Sequence, residues 1–201
     1  MGLPAPTKMA LDRITVTKLD AAKRQLRTAI ELWFADGDPV AIHTLAAAAH
    51  EIIHTLFRRK GLSGLMFDSP LIRNEYRADF ARRTKAVATF FKHAQRDPEG
   101  ELTFNPAMNE PLLVFTTYGL HLMGEPSEPP EETLMLWFMV HEPTWFERTN
   151  ALGNLIQIEA FEAFRNASKR QFFELCKLAF RDRAATHAEI IQAMGETRLP
   201  D

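Results

Sequence analysis

The sequence has one cysteine, no repeat and no long apolar run. Cys176 cannot form an intramolecular disulfide, and its neighbours in FFELCKLAF suit a small buried hydrophobe in a reducing compartment. The longest uninterrupted apolar run, LMLWFMV at 134–140, is too short to cross a bilayer at 1.5 Å per residue. The N-terminus also lacks the long apolar stretch of a secretion signal. We therefore expect a cytoplasmic protein that has no membrane partner.

Positive charge is missing from a quarter of the chain. Residues 97–147 contain ten acids and no Lys or Arg, whereas residues 58–96 contain ten Lys or Arg and three acids. The formal net charge is only −2, so the distribution carries more information than the total. Such segments can pair with each other, can separate an anion-binding face from a repelling one, or can be two solvated helix surfaces.

Helical periodicity dominates what is present. A first helix is predicted from Thr17 to a left-handed cap at Gly37. Asp38 and Pro39 then form a strong start signal for a second helix that ends near Lys60. Further helices are predicted at 69–95, 111–123, 131–141, 151–164, 168–180 and 184–194, with the 131–141 helix buried centrally because it is apolar on nearly every side.

These elements predict one all-α domain over 1–201, a bundle of six to eight helices. Residues 1–16 form a weakly patterned lead-in, and 195–201 form a polar tail. A short β-hairpin or extended segment is expected near 99–106, where turn residues flank a β-compatible run. The length suffices for a hydrophobic core without any cofactor.

The second predicted helix contains an HExxH motif at residues 50–54. His50 and His54 lie one turn apart on one face, and Glu51 between them suits a general base for a metal-bound water. Glu75 follows His54 after 20 residues, within an ExxxD that ends at Asp79, and this spacing resembles thermolysin-like gluzincins. The resemblance implies Glu75 as third ligand of a divalent metal, zinc or iron, and Asp79 as a residue that orients a histidine. The sheet that those enzymes need before the motif has no counterpart here.

Helical angles place the histidines beside the apolar face of the second helix. At 100° per residue, His43, His50 and His54 fall on one shoulder of that face. On the third helix, Arg82 and His93 fall on a shoulder together with Glu75 and Thr89. If the helices pack side by side, the two shoulders line one polar seam. Half-buried, hydrogen-bonded histidines with no further role explain the same pattern.

Two family resemblances follow from these residues. The hairpin at 18–61, followed by a basic helix that ends in FFKHA, resembles a functionally uncharacterised family of all-helical bacterial proteins over roughly residues 18–105. More remotely, the hairpin with a later Arg- and His-bearing helix is similar to HEPN domains, many of which are RNases. The spacing from Arg83 to His93 is longer than the HEPN signature, so the likeness is one of architecture.

Three functions stay open on this basis. The first is a HEPN-like module that binds RNA, a nucleotide or a phosphorylated small molecule. Its catalytic candidates are His50, His54, Arg82 and His93, and its ligand-binding candidates are Lys92, Arg96 and His43. The second is a metal-dependent hydrolase that uses His50, His54 and Glu75. The third is a structural scaffold without a catalytic site. A homodimer is a further expectation.

Overall fold

The structure is a computed structural model that describes residues 13–68, 73–95, 97–142 and 164–181 of the 201-residue chain. This part is 72 % helical and contains no strand, which confirms the prediction of an all-α single-domain bundle. The helices are α1 (Lys18–Phe34), α2 (Pro39–Arg59), α3 (Asn74–Phe90), α4 (Asn109–Leu122), α5 (Pro129–His141) and α6 (Lys169–Arg181), with 3-10 turns at Met66–Asp68 and Pro106–Met108. The helices predicted at 184–194 and over most of 151–164 lie outside the described residues, as does the tail.

The α1–α2 hairpin follows the predicted capping signals. Asp38 Oδ1 accepts a hydrogen bond from the Ala41 amide at 2.8 Å, and Pro39 occupies the first turn, where no amide donor is needed. The end of α1 differs from the prediction, because Asp36 rather than Gly37 adopts the left-handed conformation, with φ of 51°. Aspartate tolerates this region better than most residues, so the turn closes one residue early.

The third helix is shorter than predicted. The proposed start at Ser69 and Pro70 lies outside the described residues, and α3 begins at Asn74 and ends at Phe90 rather than near residue 95. The apolar periodicity of the sequence predicts that Tyr76 and Val87 face the core, and Val87 is buried together with Thr84, whereas Tyr76 is 58 % exposed. Residues 91–95 form turns, which carry His93 off the helix.

The segment before α4 contains no hydrogen-bonded strand. Among the described residues of 99–106, the backbone is irregular or extended, and a 3-10 turn begins at Pro106. The β-hairpin alternative is therefore wrong, whereas the extended alternative agrees with the structure. A lone β-compatible run without a partner strand cannot satisfy a ladder of hydrogen bonds.

Helices α2 and α4 run parallel and meet in a fixed register. His43 pairs with Asn109, His50 with Thr116, and a Cβ built on Gly119 would meet Ile53 Cγ2 at 3.0 Å. Each of these pairs is separated by 66 residues in the chain, so equivalent positions recur along both helices. The buried residues of α2 along this seam are spaced by three and four, the periodicity of two helices that pack side by side. They are His43, Ala46, His50, Ile53 and Phe57.

A further part of the core lies between α1, α5 and α6. An aromatic cluster joins Trp33 and Phe34 of α1 to Trp137, Phe138 and Phe172 of the other two helices. Cys176 is buried and free within the described residues, as the sequence predicted. Helix α5 is less enclosed than predicted, because four of its apolar side chains remain partly exposed. They are Met135, Leu136, Trp137 and Met139.

Length and composition alone would let α2 cross a membrane. One 18-residue window has a mean hydropathy of 1.3 with no more than two charged residues, and 39 % of that window is buried inside the fold. The sequence argument from uninterrupted apolar runs overlooked this helix, because histidines and threonines divide it. The core helix of a folded domain passes the same test, and α2 packs against both α1 and α4.

Candidate functional site

Two of the predicted site histidines belong to the core. His43 is 0 % exposed and His50 is 1 % exposed, so both lie deeper than the shoulder position predicted from helical angles. Helix α4 covers them, and the sequence pattern of α2 alone does not reveal that neighbour. The side chain of His54 is 18 % exposed and lies at the edge of the same face.

Hydrogen bonds fix the tautomer of His50. The hydroxyl of Thr116 donates its only proton to the Leu112 carbonyl at 2.5 Å, so its Oγ1 must accept from His50 Nδ1 at 3.1 Å. Nδ1 therefore carries the proton, and Nε2 presents a lone pair. Nε2 is buried and has no hydrogen-bond partner among the residues that the structure describes.

His43 repeats this arrangement two turns earlier. The Asn109 amide nitrogen donates to the Pro39 carbonyl at 3.0 Å, and Asn109 Oδ1 accepts from His43 Nδ1 at 2.9 Å. The His43 ring makes edge contacts with Phe91 and Phe104, and its buried Nε2 also has no hydrogen-bond partner in the described part of the chain.

Burial keeps both histidines neutral. Desolvation, with smaller contributions from the charges of His54 and Lys85, lowers the pKa of His50 to about 3. Desolvation also lowers the pKa of His43, against the opposing effect of the Asn109 hydrogen bond. A neutral His50 accepts a hydrogen bond well but holds a proton poorly, which suits a binding role better than general-base catalysis.

A cavity of about 210 Å³ lies where α2, α3 and α4 meet, and we call it the inner cavity. It is lined by Ala47, His50, Glu51, Phe67, Thr84, Lys85, Ala88, Thr89, Lys92, His93 and Leu112. Lys85 and Lys92 form no ion pair with any residue that the structure describes. Two lysines against the single Glu51 give the lining an excess of positive charge.

The inner cavity unites some of the predicted site residues. His50, Lys92 and His93 line it together, so part of the predicted seam between α2 and α3 exists. His43 and His54 do not line it. The position of Arg96 lies outside the described residues.

Arg82 faces a different surface. Its guanidinium pairs with Asp79 one turn earlier, and its side chain is 76 % exposed. It lines a more open depression of about 600 Å³, the outer groove, together with Lys85, Ala86, Thr89, Phe90, His93, Asp97, Glu101 and Leu102. The inner cavity and the outer groove share Lys85, Thr89 and His93.

The predicted metal ligands do not converge. His54 Nε2 lies 3.3 Å from Asp68 Oδ1, and Glu75 is exposed in the first turn of α3. Within the described ranges, no three His, Cys, Asp or Glu side chains form a group that could hold a metal ion. The three-ligand set of His50, His54 and Glu75 is therefore not assembled, because the turn at 66–68 gives His54 a different partner.

Several residues of the site were not predicted from the sequence. Lys85 lines the inner cavity, while Asn109 and Thr116 hold the buried histidines. One signal was available, since Asn109 and Thr116 are seven residues apart, as are His43 and His50. Equal spacing of polar residues on two apolar helices indicates that these residues pair across the interface between the helices.

Comparison with known proteins adds no relative, because no protein-family model, curated protein or solved structure matches the chain.

Proposed function

We propose that the protein binds a small anionic ligand, inorganic phosphate or a small phosphorylated metabolite, in the inner cavity. The observation that carries the proposal is the pair of lysines, Lys85 and Lys92, which line the cavity without an acidic partner in the described chain. Both lysine side chains are exposed, and two positive charges beside a partly enclosed space attract an anion more strongly than a single charge on an open surface would.

The size of the inner cavity limits which ligands can fit. A volume of about 210 Å³ falls below the roughly 300–1,000 Å³ typical of sites for larger small molecules. A phosphate group with a short organic body matches this space, whereas an oligonucleotide does not.

RNA binding is a second candidate. It is favoured by the residues that the inner cavity and the outer groove have in common. His93 borders both the inner cavity and the outer groove, and Arg82 borders the groove. A longer polyanion would place one phosphate inside and continue along the groove, where Asp97 and Glu101 would repel it. The HEPN-like relationship is part of this second candidate.

Calorimetric titration of the full chain with inorganic phosphate and with glycerol phosphate at low ionic strength tests the proposal. We expect Lys85→Met combined with Lys92→Met to weaken binding by about tenfold or more, since charge-assisted hydrogen bonds contribute roughly 1.5–3 kcal/mol each. Arg170→Met with Lys177→Met removes the same charge from α6, away from the cavity, and should leave binding unchanged.

The result decides between the candidates. Failure of both phosphate probes to bind, or equal binding by the Lys85/Lys92 variant, would overturn the proposal. Salt-sensitive binding of a short RNA that is lost on Arg82→Ala, without binding of either small probe, would establish the second candidate instead.

A further inference from the structure

The fixed tautomer of His50 restricts which anion the inner cavity accepts. Thr116 donates to Leu112 and accepts from His50 Nδ1, so the unpaired Nε2 acts only as an acceptor. His50 lines the inner cavity, and a ligand that reaches Nε2 gains a hydrogen bond there only if it offers an O–H or N–H proton. A buried acceptor that stays unpaired costs free energy, and a ligand without a donor leaves that cost in place.

We propose that His50 makes the cavity selective for an anion that carries its own hydrogen-bond donor, such as monohydrogen phosphate, over an anion of the same shape that carries none. This inference rests on the proposed function, because it concerns the ligand of the same cavity. Lys85 and Lys92 supply the attraction for charge, and His50 supplies the discrimination.

Phosphate and sulfate separate the two contributions. Both are tetrahedral oxyanions of similar size, yet monohydrogen phosphate has one O–H group and sulfate has none at neutral pH. A site with a buried hydrogen-bond acceptor rejects an analogue that has no hydrogen-bond donor, because the acceptor is then left unpaired. The lysines alone would bind the two anions about equally.

Glu51 is a second acceptor at this cavity, so its contribution must be measured separately. Its carboxylate opposes any anion by charge and would also accept a proton from monohydrogen phosphate. Substitution of Glu51→Gln removes the charge and keeps the shape. If His50 discriminates, this change strengthens the binding of both anions and leaves the ratio of their affinities unchanged.

The test is a calorimetric comparison of phosphate and sulfate with the wild-type chain and four variants. We expect wild type to prefer phosphate by about tenfold or more. His50→Leu should reduce that ratio to near one while sulfate still binds, because the Thr116 hydroxyl keeps its bond to Leu112. Thr116→Val should reduce the ratio because it releases the tautomer, and Thr116→Ser should preserve it.

The outcomes separate the two proposals. Equal affinity of wild type for phosphate and sulfate would overturn the selectivity while leaving anion binding in place. A preference that survives in His50→Leu, or disappears in Glu51→Gln, would assign the discrimination to another group and overturn the role of His50. Failure of wild type to bind phosphate, sulfate and glycerol phosphate would overturn the proposed function itself, and this comparison needs no variant to fold.

Discussion

His43 and Asn109 share a 2.9 Å hydrogen bond inside the apolar interface between α2 and α4. Asn109 also donates to the Pro39 carbonyl, so it joins the start of α2 to the start of α4. Together with the His50–Thr116 pair, it forms one of two polar rungs seven residues apart. Buried polar pairs of this kind fix the register of neighbouring helices at some cost in stability.

Loss of one member of a rung should destabilise the fold more than loss of both. Asn109→Leu leaves His43 Nδ1 without its partner and removes the side-chain bond to the Pro39 carbonyl, which should lower the free energy of unfolding by about 1–3 kcal/mol. Adding His43→Leu removes the buried donor and should recover part of that loss. Urea denaturation of the two single variants and the double variant measures the coupling.

Asn105→Ala serves as the control for that series, since Asn105 is exposed and caps only the 3-10 turn. Its substitution should cost no more than about 1 kcal/mol. A double variant that is less stable than the sum of the two single losses would contradict the paired-rung interpretation.

Gly119 is required for the close approach of α2 and the 62–66 segment to α4. A Cβ at this position would meet Leu65 Cδ2 at 2.8 Å and Ile53 Cγ2 at 3.0 Å, and both of those side chains are fully buried. Gly119→Ala should therefore destabilise the protein by about 1–3 kcal/mol through overpacking, although alanine favours helix. Thermal or urea unfolding measures this loss.

A variant that removes the Leu65 side chain provides the control, because it relieves the contact with a Cβ at position 119. Leu65→Ala alone should cost about 2–5 kcal/mol as a cavity forms, but Gly119→Ala should cost much less in the Leu65→Ala background than in wild type. If the stability losses of Leu65→Ala and Gly119→Ala are additive, the contact with Leu65 is not the reason why position 119 requires glycine.

Stability should fall as the pH drops below about 6.5. The folded-state pKa of His50 is about 3, so this imidazole becomes protonated near pH 6.5 in the unfolded chain but stays neutral in the folded chain. The contribution of neutral His50 is complete above pH 6.5 and is lost progressively down to about pH 3. His50 alone should remove about 2 kcal/mol between pH 7 and pH 5, and the lowered pKa of His43 acts in the same direction.

Urea unfolding at pH 7, 6 and 5 measures this dependence in wild type and in His50→Leu. The variant should show a flatter dependence on pH, while substitution of the exposed His121 by Gln should leave the dependence unchanged. The same slope in His50→Leu and wild type would contradict a neutral buried His50.

The sequence by itself determined the helices that the structure describes and most of their ends. Asp38–Pro39 and Gly124 act through hydrogen bonds and backbone freedom within a few residues, so a local reading suffices. Ser168 likewise precedes α6, and the Gln171 amide donates to its hydroxyl oxygen at 3.3 Å. The seven-residue spacing of His43 and His50 is also evident in the sequence, but the residues that pair with these histidines are not.

Only the tertiary structure decided how deeply those histidines lie and what they contact. Helical angles give the direction of a side chain within its own helix, whereas burial depends on the neighbour that covers it, and α4 begins 50 residues after the end of α2. That packing buries His50 against Thr116, turns His54 towards Asp68 and leaves Arg82 exposed beside Asp79. It also places Lys85 and Lys92, from α3 and the turn after it, beside His50 of α2 and Leu112 of α4 in the inner cavity, because a cavity between helices forms only when they pack.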